Sequence, residues 1–362
     1  MIRVTRFMSL DDAMTEDIEV INPVTDPRWS KFVDLHPRAS IFHTREWLVS
    51  LAKTYGYSAF AIALISERGE IEAAIPVCAV ESWLTGKRLI SLPFADHCEP
   101  LVSSSSQMLN LLEALEVVSR EGKYKYTELR PLNPSFGGDD LALDVCESAS
   151  YAHHVVDLRL DTGDLFRRLH PSCIRRKIRR AEQQHLAYES GHSKDMVQRF
   201  YSLLVMTRRR HNVFPQPISW FQNLICEFGE QLTIHLARKT SETIAGIITI
   251  QHGDKLVYKY GASDERRHAL GGMPFLFWNA MLHGKSSGAT ELDLGRTDEQ
   301  NRSLSTFKER LGAEGRRLKY FCIPPSGRRK SQLRARSLVR LLTYLPSPVC
   351  CAAGKLLYKH AG

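Results

Sequence analysis

The chain has 362 residues, of which 43% are apolar and 25% charged; this composition is typical of a globular protein and excludes the disordered and collagen-like classes. At roughly 100–200 residues per domain, the length predicts two domains or one large one. The formal net charge of +9 is concentrated in two segments: residues 166–180 hold seven basic side chains and residues 324–362 hold eight, with no acid in either. Without them the charge falls from +9 to −6. The sequence therefore indicates a mildly acidic body with two segments that attract phosphates, anionic lipids or nucleic acid.

The first half of the chain alternates helical and strand patterns, which favours an α/β (α+β) class. Thr44 is a suitable N-cap for a helix, and the turn at 67–70 indicates a hairpin. The predicted elements are strand Ile18–Ile21, helices Pro27–Leu35 and Thr44–Tyr55, strands Ala59–Ile65, Ile71–Val80 and Leu89–Leu92, helix Gln107–Ser119, strand Thr127–Leu129 and a connection over Asn133–Ser150.

The second half repeats the same order of helices, hairpin, helix and strand. This repetition predicts two domains, 1–150 and 151–323, followed by a tail at 324–362. The predicted elements are strand His154–Leu158, a helical turn at Asp164–Leu169, helices Ser172–His185, Asp195–Arg210 and Ile218–Phe228, strands Leu232–Arg238, Ile244–Gln251 and Leu256–Gly261, helix Met273–Lys285, strand Glu291–Leu294, helix Leu304–Leu311 and strand Leu318–Ile323.

The tail is predicted to contain a basic helix. Four leucines between residues 338 and 345 fall on one helical face, and Arg336 and Arg340 lie opposite. A basic amphipathic helix is typical of a membrane surface, so peripheral contact with an anionic inner membrane is one expectation. The alternative is a terminal helix packed on the domain with its Lys and Arg side chains solvated.

Neither the first residues nor the cysteines indicate an exported protein. Residues 1–20 carry acids where a secretory signal has its apolar core. The longest uncharged apolar run, Leu341–Gly354, contains two prolines and is too short to span a bilayer. The eight cysteines form no CxxC pair and no cluster with metal-ligand spacing. We therefore expect buried, reduced cysteines in a cytoplasmic protein without a metal site, although the adjacent Cys350 and Cys351 are candidates for acylation.

Basic residues on two consecutive predicted helices form the first candidate site. One set lies at 167–180, and the other is Thr207–His211, which includes Arg208 and His211. The planar guanidinium of arginine suits phosphate and pyrophosphate, and a histidine can act as a base near neutral pH. The alternative interpretation is a solvated helix face followed by a structural histidine.

GxSxG, P-loop and HExxH motifs are absent from the sequence. The segment from Leu256 to Leu311 nevertheless forms the second candidate site. Strand alternation predicts that Tyr258 and Tyr260 share one face, where they are either substrate-binding or core residues. Arg296 and Asp298 follow a predicted strand, and ligands of α/β sheets collect beyond the carboxyl ends of strands. Asn301 belongs to the same polar loop.

Lys308 follows this loop. A fixed cation beside a developing negative charge lowers the barrier to acyl transfer. Its position at the end of the polar loop therefore makes Lys308 a candidate for stabilising an oxyanion.

Seven segments carry a family resemblance that covers nearly the whole chain. They are FHTREWLVSLAKTYGY, KRLISLPFADHCEPL, ELRPL, SCIRRKIRRAEQQHL, LLVMTRRRHNVFPQP, VYKYGASD and GRTDEQNRSLSTFKERLGAE. In this order they resemble the motifs of bacterial FemAB-like proteins, which have two acetyltransferase (GNAT) folds and include the BioF2-like acetyltransferase domain.

The resemblance implies two tandem GNAT-like domains, each with a mixed, mainly antiparallel sheet flanked by helices. It also implies transfer of an acyl or aminoacyl group to an amine or hydroxyl. Fem-type peptidyltransferases take amino acids from aminoacyl-tRNA and add them to a peptidoglycan precursor, and other members of the branch belong to exopolysaccharide or envelope synthesis. The roles implied are transition-state stabilisation by Lys308 and phosphate binding by Arg175 and Arg179. The candidates for proton transfer are Asp298, Tyr260 and the bound donor.

The donor stays open between aminoacyl-tRNA and acyl-CoA, with no tightly bound cofactor expected. A CoA-using GNAT has Arg/Gln-x-x-Gly-x-Gly/Ala at a helix start, where backbone N–H groups bind pyrophosphate. In Arg266–Gly272 the glycines are present with a different spacing. Three functions remain: an acyl- or aminoacyltransferase acting on a phosphate-bearing envelope or polysaccharide precursor, an acetyl-CoA-dependent N- or O-acetyltransferase, and a non-catalytic scaffold that binds anionic lipid or RNA. The sequence does not indicate the oligomeric state.

Overall fold

The computed structural model describes residues 17–83, 86–133, 145–323 and 358–360. These residues form two compact units. Unit 1 contains the described residues up to Ser150 together with Leu318–Ile323 and Tyr358–His360, and unit 2 contains Tyr151–Arg317. The sequence had assigned residues 318–323 to the second domain, but the structure places them with unit 1.

Both units contain a strand, two helices, three strands, a helix and a strand in this order, and unit 2 has two more helices and one more strand after its first strand. The first elements are β1 (Asp17–Ile21), α1 (Pro27–Leu35), α2 (Arg45–Tyr55), β2 (Ser58–Ile65), β3 (Ile71–Ser82), β4 (Gly86–Ile90), α3 (Ser105–Glu121) and β5 (Thr127–Leu129). The later elements are β6 (Cys146–Asp157), α4 (Thr162–Arg168), α5 (Arg176–Gln183), β7 (Ala187–Gly191), α6 (Lys194–Arg210), α7 (Ile218–Phe228), β8 (Leu232–Lys239), β9 (Glu242–His252), β10 (Lys255–Ser263), α8 (Gly272–Ser286), β11 (Glu291–Asp298), α9 (Arg302–Arg310) and β12 (Glu314–Ile323).

The sheet of unit 1 has the strand order β1-β2-β3-β4-β5, and residues 321–323 of β12 pair with β5. Its strands are antiparallel except for β4 and β5, which are parallel and connected through α3. Met108 of α3 packs on one face against Ile62 of β2, whereas Trp29 of α1 packs with Ala63 on the other. Adjacent strand residues point to opposite faces, so β2 supplies both cores.

The sheet of unit 2 has the order β7-β8-β9-β10-β11, followed by residues 151–157 of β6. The strands are antiparallel except for the pair β10 and β11, which α8 connects. Ile178 of α5 and Leu276 of α8 cover one face. On the other face Phe200 of α6 approaches Gly246 of β9 so closely that a Cβ there would lie 2.9 Å from its ring.

The predicted α+β class with mainly antiparallel sheets flanked by helices is confirmed in both units, and three elements differ from their prediction. β6 begins at Cys146 rather than at His154. The residues before His154 belong to the strand, but they are mostly polar and show no apolar alternation that would predict it. Edge strand β7 has the sequence AYESG, without an apolar repeat that would predict it. The helix predicted to begin at Ser172 starts as a π-helical turn at Pro171–Arg175 and continues into α5.

Most of the predicted tail lies outside the described residues, including its amphipathic helix and the Cys350–Cys351 pair. Within the tail the structure describes Tyr358–His360, which form one 3₁₀ turn. Among the helices in the described ranges, none combines the length and apolarity needed to cross a bilayer.

A buried histidine makes unit 2 sensitive to acid. His235 is fully buried, and its ring nitrogens lie 2.7 Å from the hydroxyl of Tyr188 and 2.8 Å from that of Thr249. Burial, with a smaller contribution from nearby His283, lowers the pKa of His235 to about 3. In the unfolded chain this imidazole takes up a proton near pH 6.5. Lowering the pH from about 6.5 towards 3 therefore favours unfolding, by about 1.4 kcal/mol per pH unit.

The free energy of unfolding should fall in both proteins when the pH is lowered from 7 to 5. We expect the fall to be about 2 kcal/mol larger in the wild type than in His235→Gln. Glutamine keeps polar atoms in the cavity but does not titrate. Urea unfolding at several pH values, followed by circular dichroism, measures the difference. Identical pH profiles in the two proteins would contradict the assignment of this proton to His235.

Candidate active site

β10 and β11 are parallel neighbours over a short ladder, and both strands are bulged just beyond it. The ladder pairs Lys255–Val257 with Glu291–Asp293. β10 then shifts register against β9 at Lys259, and β11 shifts against β6 before Arg296. Bulges redirect side chains and are frequent beside active sites, and ligands collect beyond the carboxyl ends of parallel strands. The end of this ladder is therefore the candidate active site of unit 2.

Buried polar side chains hold the bulge of β11 in place. Gly295 has a φ of +68°, a conformation that glycine adopts readily. The carboxylate of Asp293 accepts a hydrogen bond from the Gly295 N–H at 2.6 Å and lies 2.8 Å from Nε2 of His153. Asp293 and His153 are 5% and 3% exposed. Because both groups are desolvated, their pairing fixes the bulge firmly.

Lys308 reaches the same bulge from α9. Its side chain is buried, and Nζ donates to the carbonyl oxygens of Gly295 at 2.9 Å and Arg296 at 3.2 Å. An ammonium group is stable in such a place only when its protons are hydrogen-bonded. Asn301 caps α9 by accepting from the Leu304 N–H at 3.2 Å, so the polar loop sets the start of the helix that carries Lys308.

Two further polar atoms on this part of the sheet have no hydrogen-bond partner among the residues that the structure describes. They are Nδ1 of His154 and Oγ1 of Thr297, in side chains that are 1% and 2% exposed. Burial lowers the pKa of His154, and the positive charge of Lys308 lowers it further. His154 is therefore a neutral imidazole at pH 7. Unsatisfied buried polar atoms are rare in native proteins and concentrate where a ligand or a reaction uses them.

We expect Asp293→Ala to lower the free energy of unfolding by about 3–5 kcal/mol, since it leaves the Gly295 N–H and His153 buried without their carboxylate. Asp254→Ala is the matched control. The Asp254 carboxylate accepts from Thr290 Oγ1 at 2.7 Å at an exposed position, and its loss should cost less than about 1 kcal/mol. Urea denaturation of both variants measures this; equal, small losses would show that the carboxylate does not hold the bulge.

The prediction that Tyr258 and Tyr260 share one face is wrong, because the bulge at Lys259 reverses the alternation. Tyr258 packs against Phe277 of α8, with ring centroids 4.8 Å apart. Tyr260 lies on the other side, 6% exposed, and its hydroxyl accepts from Trp220 Nε1 at 2.7 Å. Tyr260 is thus a core residue under α7, and Tyr258 is a half-buried aromatic on the side of α8.

The remaining residues of the predicted polar loop take separate positions. Arg296 is half-buried, and its guanidinium lies over the ring of Tyr151 at 4.5 Å from the centroid. Asp298 is exposed at the end of β11 and accepts from the Gln300 N–H at 3.1 Å. The side chain of Asn301 is used in the helix cap. Of these predicted residues, Lys308 and Arg296 are in contact at the bulge, through the hydrogen bond from Lys308 Nζ to the carbonyl oxygen of Arg296.

A basic cleft of about 500 Å³ lies where the chain leaves β10, beside α5. It is lined by Arg176, Lys177 and Arg180 of α5, and by His268 and Ala269. None of the three α5 side chains forms an ion pair with any residue that the structure describes. Three cations around one cleft, none of them ion-paired within the described part of the chain, make it a candidate site for an anion.

The second basic cluster approaches this connection from α6. Arg210 lies 3.7 Å from Glu265, and the hydroxyl of Thr207 accepts a hydrogen bond from the Ser263 N–H at 3.1 Å. Ser263 Oγ in turn lies 2.9 Å from His268 Nε2. Burial and the charges of Arg210 and Lys177 lower the pKa of His268. Arg210 of the second cluster and Lys177 of the first thus both act electrostatically on His268.

The residues that line the cleft are not the ones predicted. Arg179 is exposed and does not line it. Arg175 is half-buried in the π-helical turn, where its Nε has no hydrogen-bond partner in the described ranges. Arg208 is half-buried, and its Nε likewise has no partner among the described residues. His211 is exposed at the C-cap of α6. Sequence reasoning identified the basic helix but not which of its turns faces the connection after β10.

The helix start at which the sequence resemblance would place a CoA-binding loop is closely packed. α8 begins at Gly272 after a 3₁₀ turn at Glu265–Leu270. Gly271 has a φ of +82° and lies against the backbone carbonyl of Lys177 so tightly that it has no room for a Cβ. Side chains of α5, rather than a glycine-rich loop alone, therefore flank the start of α8.

Comparison with known proteins identifies the fold. Residues 170–309 match the family model described as acetyltransferase (GNAT) domain. The structure of FemX is similar over 87% of this chain and 97% of FemX, with 16% identity and a TM-score of 0.67. The structure of the C-terminal domain (DUF2156) of a putative lysylphosphatidylglycerol synthetase from Agrobacterium fabrum is also similar. The match covers 89% of this chain and 95% of that domain at 15% identity, with a TM-score of 0.55.

A tandem GNAT protein from the clavulanic acid biosynthesis pathway, solved without AcCoA, is also similar: 84% of this chain and 98% of that one are covered at 12% identity, with a TM-score of 0.54. A comparison with curated proteins found no match. Residues 170–309 are a GNAT acetyltransferase domain, and the chain has the tandem GNAT fold of FemAB-like proteins. The family match of residues 170–309 and the shared fold support a transferase, in agreement with the resemblance found in the sequence.

Proposed function

We propose that the chain transfers an acyl or aminoacyl group from an activated donor to an amine or hydroxyl of a phosphate-bearing cell-envelope precursor or exopolysaccharide component. The observation that carries this proposal is the buried ammonium of Lys308, fixed on the carbonyl oxygens of the β11 bulge where the parallel ladder with β10 ends. This is the position beyond a parallel strand pair where ligands of α/β domains bind.

In the proposed reaction the acceptor nitrogen or oxygen attacks the carbonyl carbon of the donor, and the ester or thioester bond of the donor breaks. Lys308 stabilises the negative charge on the carbonyl oxygen in the transition state. The proton of the acceptor passes to the departing oxygen or sulfur. Tyr260, engaged with Trp220 in the core, takes no part. Asp298, exposed at the end of β11, is the protein group that can relay the proton.

The basic cleft formed by Arg176, Lys177, Arg180 and His268 binds the phosphates of the substrates in this proposal. Three cations that form no ion pair with a described residue suit a phosphodiester or pyrophosphate group. The relatives support an envelope substrate in general terms: a putative lysylphosphatidylglycerol synthetase shares the fold, as does FemX. A site on the inner face of the membrane is consistent with such a precursor and with the basic tail.

Aminoacyl-tRNA and acetyl-CoA are the two donors to distinguish, because the family model names an acetyltransferase domain while the start of α8 is closely packed. Thermal unfolding with each donor separates them, since a ligand present at 100 times its Kd stabilises the native protein by about 2.7 kcal/mol. We expect stabilisation by one donor class and transfer of its acyl group to a precursor, detected by mass spectrometry. Absence of both stabilisation and transfer with either class would contradict the proposal.

A further inference from the structure

His268 differs in one respect from the other charged residues that line the basic cleft. The others are Arg176, Lys177 and Arg180 of α5. Guanidinium and ammonium groups keep their protons around neutral pH, whereas an unperturbed imidazole gains or loses its proton near pH 6.5. His268 is therefore the cleft residue through which the charge of the cleft can change.

The turn that carries His268 is fixed on both sides. The hydroxyl of Ser263, at the end of β10, lies 2.9 Å from Nε2 of the imidazole. Thr207 Oγ1 accepts from the N–H of Ser263 at 3.1 Å and donates to its carbonyl oxygen at 3.2 Å. The N–H of Gly271 donates to the carbonyl oxygen of His268 at 3.2 Å, and Gly271 packs against the carbonyl of Lys177. These contacts hold the imidazole beside α5.

The hydrogen bond with Ser263 suits both charge states of the imidazole. A hydroxyl can donate to Nε2 of a neutral ring and can accept from Nε2–H of an imidazolium. The other ring nitrogen, Nδ1, has no hydrogen-bond partner in the described part of the chain, and the side chain is exposed. Ser263 thus leaves Nδ1 available to a ligand whether or not His268 is charged.

Cations outnumber acids around the imidazole. The charged groups near it are Arg176, Lys177 and Arg180 of α5, Arg210 of α6, and Glu265 and Asp264 of its own turn. Burial and the charges of Arg210 and Lys177 lower the pKa of His268, and the two acids offset part of this shift. The first turn of α8 adds no acid. Without a ligand, His268 is therefore neutral at pH 7.

An anion in the cleft reverses this balance. A negative charge within about 4–6 Å of an ionisable group favours its cationic form and shifts the pKa by about 1–3. The imidazole of His268 lines the same cleft as the cations of α5, so an anion bound by them lies beside it. Binding of the anion and protonation of His268 then favour each other to the same extent, as coupled equilibria require.

We propose that a phosphate or pyrophosphate group bound in the basic cleft is accompanied by uptake of one proton from the solvent by His268, and that the resulting imidazolium is a fourth cationic ligand of the anion. The imidazolium donates through Nδ1–H to the ligand and through Nε2–H to the hydroxyl of Ser263. Affinity for the anion therefore rises as the pH falls. This inference rests on the proposed function in one respect, the binding of phosphates in the cleft.

Isothermal titration calorimetry of the full chain with UDP-N-acetylglucosamine tests the proposal. The pyrophosphate of this probe carries two negative charges throughout the range pH 5.5 to 8.5, so the probe itself does not titrate. We expect a Kd at least about tenfold higher at pH 8.5 than at pH 5.5. Where the Kd changes most steeply, titrations in two amine buffers with different enthalpies of ionisation should show uptake of at least about half a proton per ligand.

His268→Gln should bind the probe with a Kd that changes less than about threefold over this range, because the amide does not titrate but can still bond to Ser263. His211→Gln is the matched control. His211 lies 3.3 Å from Nη2 of Arg210 and its pKa is also lowered, by burial and by neighbouring arginines, but it does not line the cleft. This variant should keep the pH dependence of the wild type.

Arg180→Ala should weaken binding at both ends of the pH range, which assigns the bound probe to the cleft. Circular dichroism verifies the fold of every variant at each pH. Equal pH dependence in His268→Gln and the wild type, or binding without proton uptake, would overturn this inference and leave the phosphate site intact. No binding of the probe by the wild type at any pH would overturn both the inference and the phosphate site on which it rests.

Discussion

Replacing Lys308 with methionine should lower the rate constant of acyl transfer by at least about 100-fold. Removal of one preorganised donor to an oxyanion has an effect of this size in enzymes that catalyse acyl transfer. Methionine keeps most of the side-chain volume, so the buried site stays filled. Single-turnover kinetics with the donor identified by thermal unfolding measure the change in the chemical step without the contribution of product release.

Lys285 provides a matched control for the loss of a lysine. Its Nζ donates to the carbonyl oxygens of Leu158 and Leu160 in unit 2, so it forms the same kind of bonds as Lys308. Lys285→Met should destabilise the fold to a similar extent but change the rate constant less than about threefold. If both variants lose activity equally, Lys308 has a structural role and no part in the reaction.

Arg180→Ala and Arg179→Ala should have very different effects on the binding of a phosphate-bearing substrate. Both residues are exposed arginines on α5, but Arg180 lines the basic cleft and Arg179 does not. A charge-assisted hydrogen bond contributes about 1.5–3 kcal/mol, so losing Arg180 should weaken binding by roughly 10- to 150-fold. Arg179→Ala should change the Kd by less than about threefold.

Isothermal titration calorimetry at several salt concentrations measures both constants. The loss caused by Arg180→Ala should shrink as the salt concentration rises, because salt screens the attraction between exposed charges. Equal effects of the two substitutions would assign the contribution to the net charge of α5 and would contradict a specific site in the cleft. The comparison also separates the predicted phosphate ligand, Arg179, from the one that the structure indicates.

Much of the fold was predictable because apolar periodicity reports which face of an element is buried. α3 and α6 show it directly through their buried apolar residues, which recur at helical spacing. The early start of β6 and the edge strand β7 escaped prediction, since polar residues there pair through main-chain hydrogen bonds that leave no apolar pattern. Register shifts escaped as well: the bulge at Lys259 places Tyr258 and Tyr260 on opposite faces, and no alternation rule anticipates it.

The site was predicted in part. The polar loop and its lysine stood out, and Lys308 does reach the β11 bulge. Asp293 was overlooked in the sequence. An acid between two leucines of a strand, with a glycine two positions later, is a recognisable signal for a buried charge at a bulge. The lining of the basic cleft was not predictable, because it depends on which turn of α5 faces His268, and that is a property of packing rather than of sequence pattern.

The most direct test of the central claim is the mass of an envelope or polysaccharide precursor after incubation with the purified full chain and either donor. A precursor that gains the mass of one acyl or aminoacyl group with the wild type and with Lys285→Met, but not with Lys308→Met, is the predicted result. No gain with any protein, or an equal gain with Lys308→Met and the wild type, would contradict a transferase site at the β11 bulge.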